Sequence, residues 1–383
     1  MSEATTTARA EIVVDLDVIS RNATILRDLV APAAMMAVVK ADGYGHGMLP
    51  VARAARRGGA QWLGVATLDE ARELRAGGDT GRLLCWLTVP GESYDDAVDT
   101  EVDITAYSDT ELDEIAEAAA RVGCAARVHL KIDTGLSRGG CTAADWPVLV
   151  DHAARLQQEG RIRVIGVWSH FASADQPEDP VNDHQEQRFV DALRVAQAAG
   201  LDPEVRHLAN SAGAILRPSA RFDLVRCGIA LYGLDPAPGH TEQLGLGLEP
   251  AMTVRGTVAL VKPIAAGDGV SYGHTWVAER DTTLALLPLG YAEGIPRAAS
   301  PGAEVWVAGR RRPVRGRVCM DQVMVDLDGD QPAAGVEFVL LGPGRDGEPT
   351  AQDWARASGT INYEIVTRLG GRLHRRHVGE GQA

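Results

Sequence analysis

Eight short apolar, β-branched runs recur between residues 35 and 226, and Ala/Arg/Glu stretches of helical period separate them. The runs cover residues 35–39, 62–66, 83–87, 103–106, 127–132, 162–169, 204–208 and 224–226, with helical patterns at 68–76, 110–122, 146–158 and 185–199. A strand covered on both faces reads as a continuous apolar run, whereas one covered on a single face alternates. Eight such β-then-α units of about 25–30 residues predict a parallel, TIM-like (β/α)8 barrel over residues 10–239, with chemistry where the strands end. After Gly233 the texture changes. A turn-rich linker, Asp235-Pro-Ala-Pro-Gly-His240, leads to short strand patterns at 251–261, 283–289, 304–307, 322–327 and 337–341. These predict a second, mainly β domain over 240–383, giving an α/β chain of two domains. The N-terminal Ala/Thr stretch reads as a loose tail.

Composition narrows the partners. The 52 acidic against 38 basic residues leave a net charge of −14, spread along the chain, which argues against a nucleic-acid or anionic-membrane surface. No apolar run reaches the ~18 residues of a membrane span, and residues 1–10 lack an apolar core after a basic start, so a cytoplasmic location is expected. The five cysteines have no C-x-x-C pairing and are expected to be reduced and mostly buried. His170, His184 and His207 lack a spacing that suits metal ligands, so no metal is expected.

Lysine is scarce. Of the 38 basic residues only Lys40, Lys131 and Lys262 are lysines, so a Schiff base has three side-chain candidates. Lys40 closes the first barrel strand and runs into Ala-Asp-Gly-Tyr-Gly-His-Gly47. An amine at a barrel mouth is partly desolvated, which lowers its pKa and makes it nucleophilic. The interleaved glycines make a tight loop that presents the Tyr44 hydroxyl. The plain alternative is a strand-end lysine reaching into solvent.

The segment Val39-Lys-Ala-Asp-Gly-Tyr-Gly-His-Gly resembles the pyridoxal phosphate (PLP) attachment motif of the alanine racemase family. The resemblance continues in family order through Lys131-Ile-Asp-Thr-Gly-Leu-Ser-Arg138, Ser169-His170-Phe-Ala, His207-Leu-Ala-Asn210-Ser211 and Val225-Arg226-Cys-Gly-Ile229. It extends through Val270-Ser-Tyr272-Gly, Gly290-Tyr291-Ala-Glu-Gly, Arg317-Val-Cys-Met320-Asp321 and Ile361-Asn-Tyr363-Glu. It implies a fold type III, PLP-dependent racemase in which Lys40 bears the cofactor and serves as one acid/base. Racemisation needs a second acid/base on the opposite face of the substrate, and the resemblance assigns it to Tyr272.

Other roles are implied in the same way. Tyr44, Ser211, Tyr363 and the backbone of Gly228 and Ile229 would hold the cofactor phosphate, supported by Asn210. His170 would sit beside the cofactor ring and Tyr272. Arg226 would face the pyridine nitrogen, where an always-charged guanidinium disfavours a protonated ring, weakens its electron withdrawal and restrains transamination. Arg138, Met320, Asp321 and Tyr291 would contact the substrate, and Lys131 is a candidate for carbamylation. The resemblance further implies a homodimer in which Tyr272 and Met320 serve the partner's site, with D-alanine made for peptidoglycan. A broad-specificity racemase, a fold III decarboxylase and a non-catalytic PLP-binding barrel are the competing readings, with a metal-dependent barrel hydrolase as a residual one. Decarboxylases of this fold generally carry a carboxylate where Arg226 stands, and the non-catalytic relatives lack a β domain.

Overall fold

The computed structural model describes residues 9–379, so the expected loose tail at residues 1–8 lies outside the described residues. The chain opens with β1 (Ala10–Asp15). It then builds eight parallel strands: β2 (Ala34–Val38), β3 (Trp62–Val65), β4 (Arg82–Cys85), β5 (Asp103–Ala106), β6 (Ala126–Lys131), β7 (Ile162–Trp168), β8 (Val205–His207) and β9 (Leu224–Cys227). Their order in the sheet is β8-β7-β6-β5-β4-β3-β2-β9, a barrel-like wall that is nearly closed. The seam between β8 and β9 is bridged by single hydrogen bonds, such as Arg226 N–H to the Ala209 carbonyl at 3.0 Å. Burial on both faces explains the continuous apolar runs: β3 and β5 are buried at every position.

Local chemistry sets the helix starts. Thr67 and Glu70 form a capping box at Leu68–Ala76, and the Ser108 hydroxyl accepts from the Glu111 N–H at Asp109–Val122. The fourth helix begins at Val181, ahead of the expected 185, because Pro180 supplies a fixed φ just before the first turn. Among the described residues no helix is long and apolar enough to cross a membrane.

The second half contains β10 (Met252–Thr257), β11 (Leu260–Ile264), β12 (Gly269–Val270), β13 (Trp276–Val277), β14 (Thr282–Leu287), β15 (Glu304–Val307), β16 (Arg310–Pro313), β17 (Val323–Asp326), β18 (Glu337–Leu341) and β19 (His374–Val378). Six strands form one sheet in the order β16-β15-β18-β10-β1-β19, and β11-β14-β17 form another. Two expectations change here. The run at 251–261 is two strands, because the backbone switches partners between Val258, which donates to Val336, and Ala259, which donates to Leu286. Residues 10–15, read with the barrel, pair with β10 and β19 instead. Asn22, on the helix that follows β1, donates to the Leu231 and Glu249 carbonyls and ties that helix to the linker region.

Candidate active site

A cavity of about 490 Å³ opens at the C-terminal ends of the barrel strands. It is lined by eleven of the residues singled out from sequence: Lys40, Tyr44, Lys131, Arg138, His170, Asn210, Ser211, Arg226, Gly228, Ile229 and Tyr363. Four of its lining residues are cations and none is a carboxylate. In a chain carrying −14 overall, this concentrates positive potential where a multiply charged anion can bind.

Lys40 follows β2 and begins a turn in which Ala41, Asp42, Gly43, Tyr44 and Gly45 all have φ between +51° and +79°. Such a left-handed turn costs roughly 1–2 kcal/mol per non-glycine residue, so surrounding contacts must hold it. They do so through carboxylates. Glu70 Oε1 accepts from the Ala41 N–H at 2.6 Å, while Asp42 accepts from the Met48 N–H and pairs with Arg375. Burial, reinforced by the charge of Arg138, lowers the Lys40 pKa, with Glu70 opposing. The Lys40 amine lies 5.8 Å from the Trp86 ring centre.

The cavity has two chemically distinct ends. At one, the Ser211 hydroxyl accepts from the Gly228 N–H at 2.8 Å and the Ala230 N–H at 3.4 Å and donates to no acceptor among the described residues. A Cβ built on Gly228 would lie 2.5 Å from the Tyr44 hydroxyl, so glycine is what admits that phenol. Neither Tyr44 nor Tyr363 spends its hydroxyl on an acceptor among the described residues, and burial raises both pKa values. Asn210 caps the helix Ser211–Leu216 by accepting from the Gly213 N–H at 3.0 Å. Three hydroxyl donors beside a helix start suit a phosphate monoester.

At the other end Arg226 is almost fully buried. Its Nη2 donates to the Ser169 and Leu208 carbonyls and to His170 Nδ1 at 2.9 Å, and its Nη1 donates to His207. Nε donates to no acceptor among the described residues. Burial pushes the guanidinium down to about 9, which still leaves it charged at neutral pH. His170 must accept from Arg226 and is held neutral, first by burial and then by the charge of Arg226. Its remaining N–H is therefore on Nε2. Lys131, burial-depressed to about 8, sits 4.5 Å from the Trp168 ring centre. Arg138 makes no hydrogen bond among the described residues and is free to bind an incoming acceptor. These donors fit PLP: hydroxyls for its phosphate, an amine for its aldehyde and a fixed N–H for its ring nitrogen.

Four expected residues are absent from the cavity wall. Tyr272 is 71% exposed, and Tyr291 and Met320 are exposed too. They and Asp321 cluster on the second domain. The Tyr291 N–H donates to the Cys319 carbonyl, the Ala292 N–H to the Met320 carbonyl, and Arg372 bridges Asp321 and Glu293. Ser271 adopts φ +61° and ψ −171°, a conformation otherwise left to glycine, and in doing so presents Tyr272 outward. Trp86 and Trp168 line the cavity without having been singled out; within apolar strand patterns a tryptophan reads as core.

Known proteins identify the family. A family model described as "Alanine racemase, N-terminal domain" matches residues 14–236, and "Alanine racemase, C-terminal domain" matches 251–377. An alanine racemase of Frankia casuarinae is 56% identical over 370 residues, covering 97% of this chain and 96% of that one. The crystal structure of alanine racemase from D-cycloserine-producing Streptomyces lavendulae superposes with a TM-score of 0.96 at 51% identity, covering 98% of each chain. That of the Bacillus anthracis alanine racemase with bound L-Ala-P gives 0.87 at 34% identity, covering 99% of this chain and 97% of that one.

Proposed function

The chain belongs to the alanine racemase family, and on that ground we propose that Lys40 and Tyr272 are the two groups that exchange the α-proton of alanine from opposite faces. Its activity is the PLP-dependent interconversion of L- and D-alanine. The observation that carries the residue assignments is the cavity itself, with four cations, no carboxylate and an amine partly withdrawn from water.

PLP, when bound, supplies the electron sink that makes the α-proton removable. Lys40 would hold it through its amine and would serve as acid/base on its own side of the substrate. Tyr44, Ser211 and Tyr363, with the backbone at Gly228 and Ile229, hold the phosphate, and Asn210 steadies that helix start. Arg226 would donate an N–H to the ring nitrogen. A donor that never gives up its proton keeps that nitrogen unprotonated, which limits side reactions. His170 would donate its Nε2–H to the oxygen of a Tyr272 supplied by a second copy and so favour the phenolate that can accept the α-proton. Arg138 and the Met320 N–H hold the substrate carboxylate, with Asp321 and Tyr291 beside them. Lys131, with a pKa near 8, keeps a neutral fraction able to add carbon dioxide and release a proton. The carbamate so formed would sit as an anion among Arg138 and Arg226.

Tyr272, Tyr291, Met320 and Asp321 reach the cavity by contribution from a second copy, making a homodimer with shared sites. Five free thiols fit a reducing, cytoplasmic setting, and D-alanine for peptidoglycan is the role proposed there. Arginine at 226 speaks against decarboxylation, and the match over 251–377 against a lone PLP-binding barrel. Borohydride treatment should fix the cofactor to the peptide containing Lys40; a label on Lys131 or Lys262 would refute the assignment. Assays with both enantiomers of Ala, Ser, Lys and Arg separate a dedicated enzyme from a broad one.

A further inference from the structure

The inside of a (β/α)8 barrel is ordinarily filled by layers of branched aliphatic side chains. Here a file of polar side chains crosses it. Asp103 opens β5 at the end of the barrel remote from the cavity, His129 lies within β6, His207 ends β8 and Arg226 lies in β9. All four are buried. His129 Nδ1 is hydrogen-bonded to His207 Nε2 at 2.9 Å and His207 Nδ1 to Arg226 Nη1 at 3.1 Å, while His129 Nε2 lies 3.3 Å from Asp103 Oδ2, an electrostatic contact in which neither atom makes a hydrogen bond among the described residues. Asp103 is neutralised on its far side by Arg127, with Arg82 at 3.7 Å. The Trp168 ring stacks on His207 with an interplanar angle of 5° and also lies under Arg226.

The direction of this file is dictated by its last member. A guanidinium has donors only, so His207 Nδ1 must offer a lone pair and its proton must sit on Nε2. That proton can be donated only to an unprotonated His129 Nδ1. The remaining proton of His129 is then on Nε2, facing the Asp103 carboxylate. Charging either ring, or swapping its tautomer, sets two N–H groups against each other. Burial lowers the pKa of both histidines in the same sense, and the nearby histidine and arginine keep Asp103 ionised against its own burial.

We propose that Asp103 and His129 are positioning residues for Arg226: they fix His207 as an acceptor, which locks one edge of the guanidinium. They thereby govern how turnover divides between racemisation and transamination without touching substrate or cofactor. The proposal rests on the reading of Arg226 as the group facing the cofactor ring.

Nitrogen-15 NMR of histidine-labelled holoenzyme tests the direction without any substitution. Both His129 and His207 should show Nε2–H and bare Nδ1 between about pH 6 and 8. A charged ring or an Nδ1–H at either residue overturns the proposal. Substitution tests the consequence. His129→Leu removes the acceptor for His207, whereas His129→Gln can restore it through its amide oxygen. The leucine enzyme should lose roughly 10–100-fold in kcat with KM within about twofold, and its visible cofactor band should shift. It should also release more pyruvate per racemisation event, as alanine's amino group passes to the cofactor and water supplies the keto oxygen. The glutamine enzyme should recover most of this. Unchanged band and partition in His129→Leu, with both changed in Arg226→Lys, overturn the proposal and leave the Arg226 reading standing. No change in either variant overturns that reading and the proposal with it.

Discussion

Arg226 spends both terminal nitrogens on protein acceptors, so its contribution is a fixed charge at a fixed place. Replacing it by glutamate substitutes a group able to share a proton with the ring nitrogen. Arg226→Glu should slow racemisation by roughly 10²–10³-fold and raise pyruvate release per turnover; an unchanged ratio of the two products would defeat this account. His46 is fully buried, and burial holds its imidazole down to about 4, with a hydrogen bond to the Tyr44 carbonyl opposing. Below pH ~6.5 the unfolded chain takes up a proton that the folded one refuses, so stability falls as pH drops from there towards 4. Between pH 7.5 and 5 this one residue should remove about 2 kcal/mol, and urea unfolding of His46→Gln should show a correspondingly flatter pH dependence. Residue type decided what was legible. Lys40 stood out because lysine is rare in this chain, whereas Asp103 and His129 sit within strand patterns and look like ordinary polar breaks until their ring nitrogens are placed against Arg226.

The turn after β2 puts five successive residues at positive φ, two of them glycines, and the site depends on its shape. A Cβ on Gly45 would come 2.4 Å from the Val366 carbonyl, in the helix Asn362–Arg368 that carries Tyr363. Gly45→Ala should therefore cost at least ~1–2 kcal/mol in thermal or urea unfolding and weaken PLP binding, while Ala41→Gly should be neutral or stabilising by up to ~1 kcal/mol. Equal effects of the two substitutions would show that the turn is unstrained. All eight barrel strands were readable, since continuous apolar runs report burial on two faces. The partner of a strand is less readable. In the structure buried Ala10, Ile12 and Val14 alternate with half-buried Glu11, Val13 and Asp15, the mark of a strand with one wetter face, but the apolar Val13 hides that alternation in the sequence. The run at 251–261 shows the converse limit, because periodicity continues across a change of sheet.

The whole molecule presents eleven of its fifteen expected site residues in a cavity and the other four on an open face. If the dimer joins them, Lys40 and Tyr272 of one chain serve different sites. Co-expressing Lys40→Ala with Tyr272→Phe should then restore activity to roughly a quarter of wild type, since about half the dimers are mixed and each has one intact site of two. Background activity in tag-purified mixed dimers would mean that each chain completes its own site. Motif order made both sets visible in the sequence, whereas their separation was implied there only by the family resemblance, because spacing along a chain says nothing about which copy a side chain serves. The placement of β1 also sets a schedule for synthesis. Its antiparallel partner reaches Gly256 and its parallel partner begins at His374, so the strand made first waits through most of translation before either neighbour exists. At ~5–20 residues per second that wait is on the order of tens of seconds, during which an apolar, unpaired edge stays exposed beside a barrel that is already folding.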